Sequence, residues 1–168
     1  MLTSLATILA VVVIGFPLLM FLAQDRLLFF PQPLAESRRA EINKRYPAVG
    51  EVVLESENQK LHAWHVKAAP GKPLVIYFGG NAEEVSWTLA ERRWPPDVTL
   101  VAVNYRGYGR SDGAPGEPEL KADALAIHDA VAARPDVDPR RIVVFGRSLG
   151  TAVAVHVAAA RPVAGVVV

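Results

Sequence analysis

One serine hydroxyl stands between two glycines in Phe145-Gly146-Arg147-Ser148-Leu149-Gly150, directly after the apolar run RIVV and directly before TAVAVHVAAA. A sharp strand-to-helix turn imposes strained dihedrals on its central residue, so the residues two before and two after it must lack bulky side chains. Gly146 and Gly150 meet that need. Such a turn lifts the Ser148 hydroxyl clear of the sheet and sets it at a helix N-terminus, where amides and the helix dipole stabilise negative charge. That is a place to build an alkoxide or an acyl-oxyanion. A serine hydroxyl is a weak nucleophile at neutral pH, however, and needs an adjacent general base that is itself oriented by an acid.

None of the four histidines is well placed to be that base. His156 lies eight residues into the helix that Ser148 opens, roughly 12 Å along its axis at about 1.5 Å per residue. His128 sits beside an apolar helix face, a pattern that suits packing. His62 and His65 are three apart on a strand, point to opposite faces and make a poor metal pair. The absence of cysteine excludes disulfides, Cys-ligated zinc and a thiol nucleophile. Gly107, Gly109 and Gly113 are spaced G-x-G-x-x-x-G, which is not the dinucleotide fingerprint, and no phosphate-binding G-x-x-x-x-G-K-[ST] occurs. Arg106, Tyr108 and Asp112 share that loop, where turn geometry and packing are the simpler roles. With 18 basic and 17 acidic residues and a net charge of +1, there is no basic stripe to hold nucleic acid. No metal and no cofactor is implied.

The elements that must position Ser148 can be read from the apolar pattern. EVVLES and KLHAWHVKA flank Glu57-Asn58-Gln59 as an antiparallel hairpin. PLVIYF and VTLVAVNY are continuous apolar runs, as expected of strands buried on both faces of a parallel sheet. Between them EEVSWTLAERRW reads as a helix capped by Asn81, with Glu84 reaching back as the other half of a capping box. ELKADALAIHDAVAAR carries Leu120, Ala124, Ile127 and Val131 on one helical face. RIVVF, the helix after Ser148 and a last strand at VAGVVV complete alternating βα units, the signature of a parallel sheet with helices on both faces. Ligands bind beyond the carboxyl ends of such strands, where FGGNAE, NYRGYGRSDG and FGRSLG meet.

Before this domain, the first charged side chain is Asp25, and the preceding apolar stretch is long enough to cross a hydrocarbon core, which takes about 20 residues in a helix. Residues 1–23 read as an uncleaved single-pass anchor, with Leu2 to Leu22 as the span. A cleaved signal peptide would want a basic start and small residues at the cleavage positions, whereas no basic side chain precedes Arg26. Residues 24–48 read as a juxtamembrane linker. Arg26, Arg38 and Arg39 follow the span, which favours a cytoplasmic domain.

With YFGGNAE, NYRGYGRSDG and GRSLG in this order, and with the apolar N-terminus followed by RLLFFPQP, the chain resembles the α/β-hydrolases, in particular their membrane-anchored serine aminopeptidase-like branch. The resemblance implies an α/β-hydrolase fold, with residues 49–168 as the N-terminal part of its domain. It implies Ser148 as nucleophile and the backbone amides of Leu149 and Asn81 as oxyanion hole. Where many members have His-Gly, with the histidine propping the loop, this chain has Gly79-Gly80. The family order of nucleophile, acid and then histidine implies that the last two lie after Val168 and that the chain is truncated. The expected activity is acyl transfer to water from a small ester, thioester or peptide substrate, with the lipid bilayer as the other partner. The alternative is a non-catalytic membrane-tethered module that keeps the fold and only binds or scaffolds.

Overall fold

The computed structural model describes residues 4, 8–9, 11–90 and 94–168. It divides into two compact units, residues 1–30 and 31–168. The first contains helix α1 (Phe16–Leu28), preceded by a π-helical turn over Val11–Gly15. Pro17 explains the change of pitch, because its ring displaces the carbonyl of the preceding turn and it has no N–H to donate. The described helix from Val11 to Leu28 has a mean hydropathy of 1.8 over 18 residues, long and apolar enough to cross a membrane, a property that signal sequences share. It runs past Ala23, the limit read from sequence, and carries Asp25 and Arg26 within its last turns. Residues 1–3, 5–7 and 10, also assigned to the anchor, lie outside the described residues.

The stretch read as a linker contains a second helix, α2 (Glu36–Arg45). Its charged side chains hide one apolar contact that decides its fate: Ile42 is 1% exposed and joins Leu34, Trp64, Val85 and Leu100 in the core. Part of this segment therefore belongs to the folded unit. Strands β1 (Val49–Ser56) and β2 (Gln59–Val66) form the antiparallel hairpin. Glu57 and Asn58 both have positive φ, 46° and 64°, as a two-residue turn matched to strand twist requires.

Strands β3 (Leu74–Phe78), β4 (Thr99–Val103), β5 (Ile142–Gly146) and β6 (Gly165–Val167) complete one sheet in the order β1-β2-β4-β3-β5-β6. All pairs from β4 to β6 are parallel. Every residue of β3 is buried, as its unbroken apolar run predicts. Helix α3 is described only over Trp87–Ala90, and residues 91–93 lie outside the description. Helices α4 (Glu117–Ala132) and α5 (Leu149–Ala160) follow β4 and β5, with Leu120, Ala124, Ile127 and Val131 facing inward.

The capping box expected at residues 81–84 does not form. Asn81 Oδ1 accepts from the amide of Ala82 and the hydroxyl of Tyr108, and the helix begins later, at Trp87. Glu84 is drawn inward instead, where its Oε1 accepts from Trp64 Nε1, Asn104 Nδ2 and the Ser86 amide. Three donors hold a buried carboxylate more firmly than one exposed helix end could.

Candidate active site

The turn between β5 and α5 is built by contacts that only glycine permits. A Cβ on Gly146 would lie 2.1 Å from the carbonyl oxygen of Gly150, and one on Gly150 would lie 2.0 Å from that of Phe78. The Arg147 amide donates to Phe78 O at 3.0 Å and the Gly150 amide to Arg147 O at 2.9 Å, so the turn is sewn to the end of β3. Between the glycines Ser148 is forced to φ 53° and ψ −113°, a region that costs a side-chain-bearing residue roughly 1–3 kcal/mol. A serine at the start of a helix ordinarily caps it. Ser148 makes no such bond, and its exposed side chain stands at the mouth of two cavities.

One of these, about 440 Å³, brings Ser148 together with Gly80, Asn81 and Ala82 from the loop after β3. The approach is close: a Cβ on Gly80 would touch Ser148 Cβ at 3.6 Å. The other, about 430 Å³, is lined on one side by Tyr77, Trp94 and Phe145, whose rings meet at centroid distances of 5.5–5.7 Å.

The 79–83 loop is held by side chains to which the sequence assigns no part in the site. Glu83 accepts from the Gly80 amide at 2.7 Å and from the Tyr77 hydroxyl at 2.8 Å, and Arg147 stands 3.5 Å from the same carboxylate. Burial, with the Glu83 carboxylate beside it, holds the Tyr77 phenol well above its usual range and keeps it a donor. The Tyr105 phenol, raised by deeper burial, donates to Gly79 O at 2.8 Å. Tyr108 fixes the Asn81 side chain at 2.7 Å. The loop is thus braced by one carboxylate and three tyrosines. Glu83 sits three residues after Gly80, a capping-box spacing displaced by one from the pair chosen by pattern. That spacing was the one signal available in the sequence.

The remaining singled-out residues have structural employment. Arg106 makes a two-pronged pair with buried Asp123 at 2.7 and 2.6 Å. Asp112 accepts from the Lys60 amide. His62 Nδ1 faces Asn104 Nδ2 at 3.0 Å and its Nε2 faces Glu51 at 3.2 Å. His128 is buried between Asp129 and the carbonyl of Pro162. Neither cavity at Ser148 is lined by His62, His65, His128 or His156.

A model of the alpha/beta hydrolase family matches residues 78–168, which include the loop after β3, the Gly146–Gly150 turn and α5. The chain belongs to this family. It is 35% identical over 165 residues to an uncharacterized protein of Mycobacterium tuberculosis, an alignment covering 95% of this chain and 58% of that protein. It is 39% identical over 103 residues to the alpha/beta hydrolase domain-containing protein WAV2 of Arabidopsis thaliana, covering 58% of this chain and 33% of that one. The chain therefore spans between a third and three fifths of these curated relatives. Among solved structures, an alpha-beta hydrolase from Vibrio vulnificus superposes with a TM-score of 0.64 at 25% identity, over 79% of this chain and 50% of that chain. The carboxylesterase EstE1, cloned from a metagenomic library, gives 0.54 at 25% identity, over 71% and 47%.

Proposed function

We propose that this α/β-hydrolase is a serine hydrolase tethered to a membrane by its N-terminal helix, with its domain on the cytoplasmic side. The observation that carries the reading is Ser148 itself, strained at the turn, uncommitted to capping and opening into a cavity shared with the 80–82 loop. Ser148 Oγ attacks the carbonyl carbon of an ester, thioester or peptide and loses its proton to a general base. The oxyanion that forms is stabilised by the amides of Leu149 and Asn81 together with the N-terminal dipole of α5. Collapse expels the leaving group, which takes up the proton, and leaves an acyl-serine. Water then attacks that ester and releases the acid, restoring the hydroxyl.

The base and its orienting acid are assigned to sequence outside these 168 residues, because His62 and His128 are engaged elsewhere and no histidine lines the Ser148 cavities. The test is covalent labelling of the full-length gene product by a fluorophosphonate, with turnover of a simple aryl ester followed in parallel. Labelling and turnover are expected, and Ser148→Ala is expected to abolish both while leaving the circular dichroism spectrum unchanged. Wild-type turnover by Ser148→Ala would overturn the nucleophile assignment. Persistent absence of labelling in the unaltered protein would favour a binding module.

A further inference from the structure

We propose that Arg147, the residue bonded to Ser148 on its amino side, selects substrates whose acyl group ends in a carboxylate, as in the half-esters of dicarboxylic acids. The proposal rests on the serine-hydrolase reading above and adds the class of acyl group and the side chain that recognises it.

The first observation is that the strand-to-helix turn makes no demand on the side chain at position 147. The steric requirement of the turn falls on Gly146 and Gly150, and its strain on Ser148. What Arg147 gives to the turn is backbone: its amide donates to Phe78 O at 3.0 Å and its carbonyl accepts from the Gly150 amide at 2.9 Å. Any residue with an N–H supplies both. The arginine side chain is 59% exposed and lines both cavities that open at Ser148. Among the described residues lining the cavity with the aromatic wall, it is the only charged group. In the other cavity its counterpart is Glu83, and no second cation joins it among the described residues. Arg147 and Ser148 are consecutive in a turn locked by close backbone contacts, so the stem of the guanidinium keeps a constant relation to the reacting hydroxyl.

The second observation is the form of the contact with Glu83. Arg147 Nη1 stands 3.5 Å from Glu83 Oε2, beyond the length of about 2.7–2.9 Å of a charge-assisted hydrogen bond. Glu83 is held by shorter bonds, from the Gly80 amide at 2.7 Å and the Tyr77 hydroxyl at 2.8 Å. The loop therefore sets the position of this carboxylate, and the arginine can turn from it toward a second one. A guanidinium presents its donors in a planar fork that fits both oxygens of a carboxylate. The acyl group is the part of the substrate that stays at Ser148 through both halves of the reaction, so a carboxylate at its far end keeps its contact from the attack until the acid is released. A carboxylate on the leaving group would be lost when the first half ends. Because Arg147 lines both cavities, the acyl chain meets it in either.

The experiment uses the full-length gene product and two aryl esters with the same leaving group, the hemiadipate and the hexanoate. Their acyl groups differ only at the far end, where one has a carboxylate and the other a methyl group. At low ionic strength kcat/KM is expected to be about fivefold or more higher on the hemiadipate. Added salt should shrink that preference, because the guanidinium is exposed enough to be screened. Arg147→Gln should lose about fivefold or more beyond its loss on the hexanoate when assayed on the hemiadipate. Arg147→Lys, which keeps the charge without the fork, should retain part of the preference. Equal kcat/KM on the two esters in the unaltered protein, or an equal loss on both in Arg147→Gln, would confine Arg147 to bracing Glu83 and overturn the proposal while leaving the hydrolase reading intact. Absence of turnover on both esters overturns the proposal, and with Ser148 unlabelled by a fluorophosphonate it overturns the hydrolase reading as well.

Discussion

Two loops meet at the candidate site, and they are held in place by different physics. The turn Gly146–Gly150 is fixed by exclusion: two glycines let the first turn of α5 approach β3 and β5 more closely than any Cβ allows, and the strain falls on Ser148. The loop Gly79–Glu84 is fixed by attraction. Its own strained residue, Ala82 at φ 56°, is surrounded by hydrogen bonds from Tyr77, Tyr105 and Tyr108 and by the reach-back of Glu83. Steric exclusion is short-ranged and all-or-none, whereas each hydrogen bond contributes about 1 kcal/mol and can be lost alone. The difference predicts that the first loop fails by unfolding and the second by degrees.

The largest effect is expected at Gly150. A Gly150→Val side chain would begin 2.0 Å from Phe78 O and 2.7 Å from Gly79 O, both backbone atoms of a fully buried strand end, so neither can move aside cheaply. A loss of about 3 kcal/mol or more is expected, read as a lowered denaturant midpoint and aggregation on expression. A midpoint within error of the unaltered protein would show that the turn can open, and the contrast between the loops would disappear.

That turn was legible in the sequence because its requirement is local. Two glycines at fixed spacing around a serine, after an apolar run, state a steric condition that no distant residue can alter. The order of strands and helices was legible for a similar reason, since burial on both faces writes itself into continuous apolar runs such as PLVIYF. The brace on the other loop was not. Tyr77 reads as one more strand residue, Tyr105 and Tyr108 as parts of a Gly-rich turn, and nothing in their spacing says that their hydroxyls converge. Glu84 was assigned to a helix cap because the pattern fits, but Trp64 and Asn104, from two other strands' vicinity, claim it. Ile42 was hidden for the same reason: one apolar residue among charged neighbours becomes core only when the sheet is folded beside it.

A smaller effect, confined to the site, is expected from Glu83→Gln. The substitution keeps shape but replaces one carboxylate oxygen with an amide NH₂, which either opposes the Gly80 amide or turns the Tyr77 hydroxyl from donor to acceptor, and in both cases removes the charge that faces Arg147. In the full-length gene product kcat on an aryl ester should fall about tenfold, the rate equivalent of about 1.4 kcal/mol. KM should stay within about twofold, because in the proposed mechanism the Asn81 amide acts on the oxyanion and not on the bound ester. The denaturant midpoint should change far less than in Gly150→Val. A rise in KM with kcat unchanged would move Glu83 from positioning the oxyanion loop to binding the substrate.

The smallest effect is a pH dependence found at one loop and not the other. The far end of the 79–84 loop is tied down through Asn104, whose Oδ1 accepts from the Val85 amide and whose Nδ2 donates to Glu84 and to His62 Nδ1. His62 must therefore accept at Nδ1 and donate from Nε2 to Glu51, which requires the neutral ring. Burial lowers its affinity for a proton, and Arg110 adds to this, although Glu51 and Glu84 pull the other way. Above the unfolded value of about 6.5 both states carry a neutral ring, and the stability due to this network is complete. As the pH falls below about 6.5 the unfolded chain takes up a proton that the folded chain resists, so stability declines until the lower folded value is passed. His65, also depressed by burial, contributes in the same direction. A His62→Asn variant separates the two: the fall in denaturant midpoint between pH 7.5 and pH 5 should be shallower than in the unaltered protein. Over the same range amide exchange at Val85 should quicken while exchange at Gly150 and Thr151, in the turn fixed by exclusion, stays nearly level after correction for intrinsic rates. An unchanged slope in His62→Asn would show that the ring is not the group that titrates, and that the loop's hold on Val85 does not run through it.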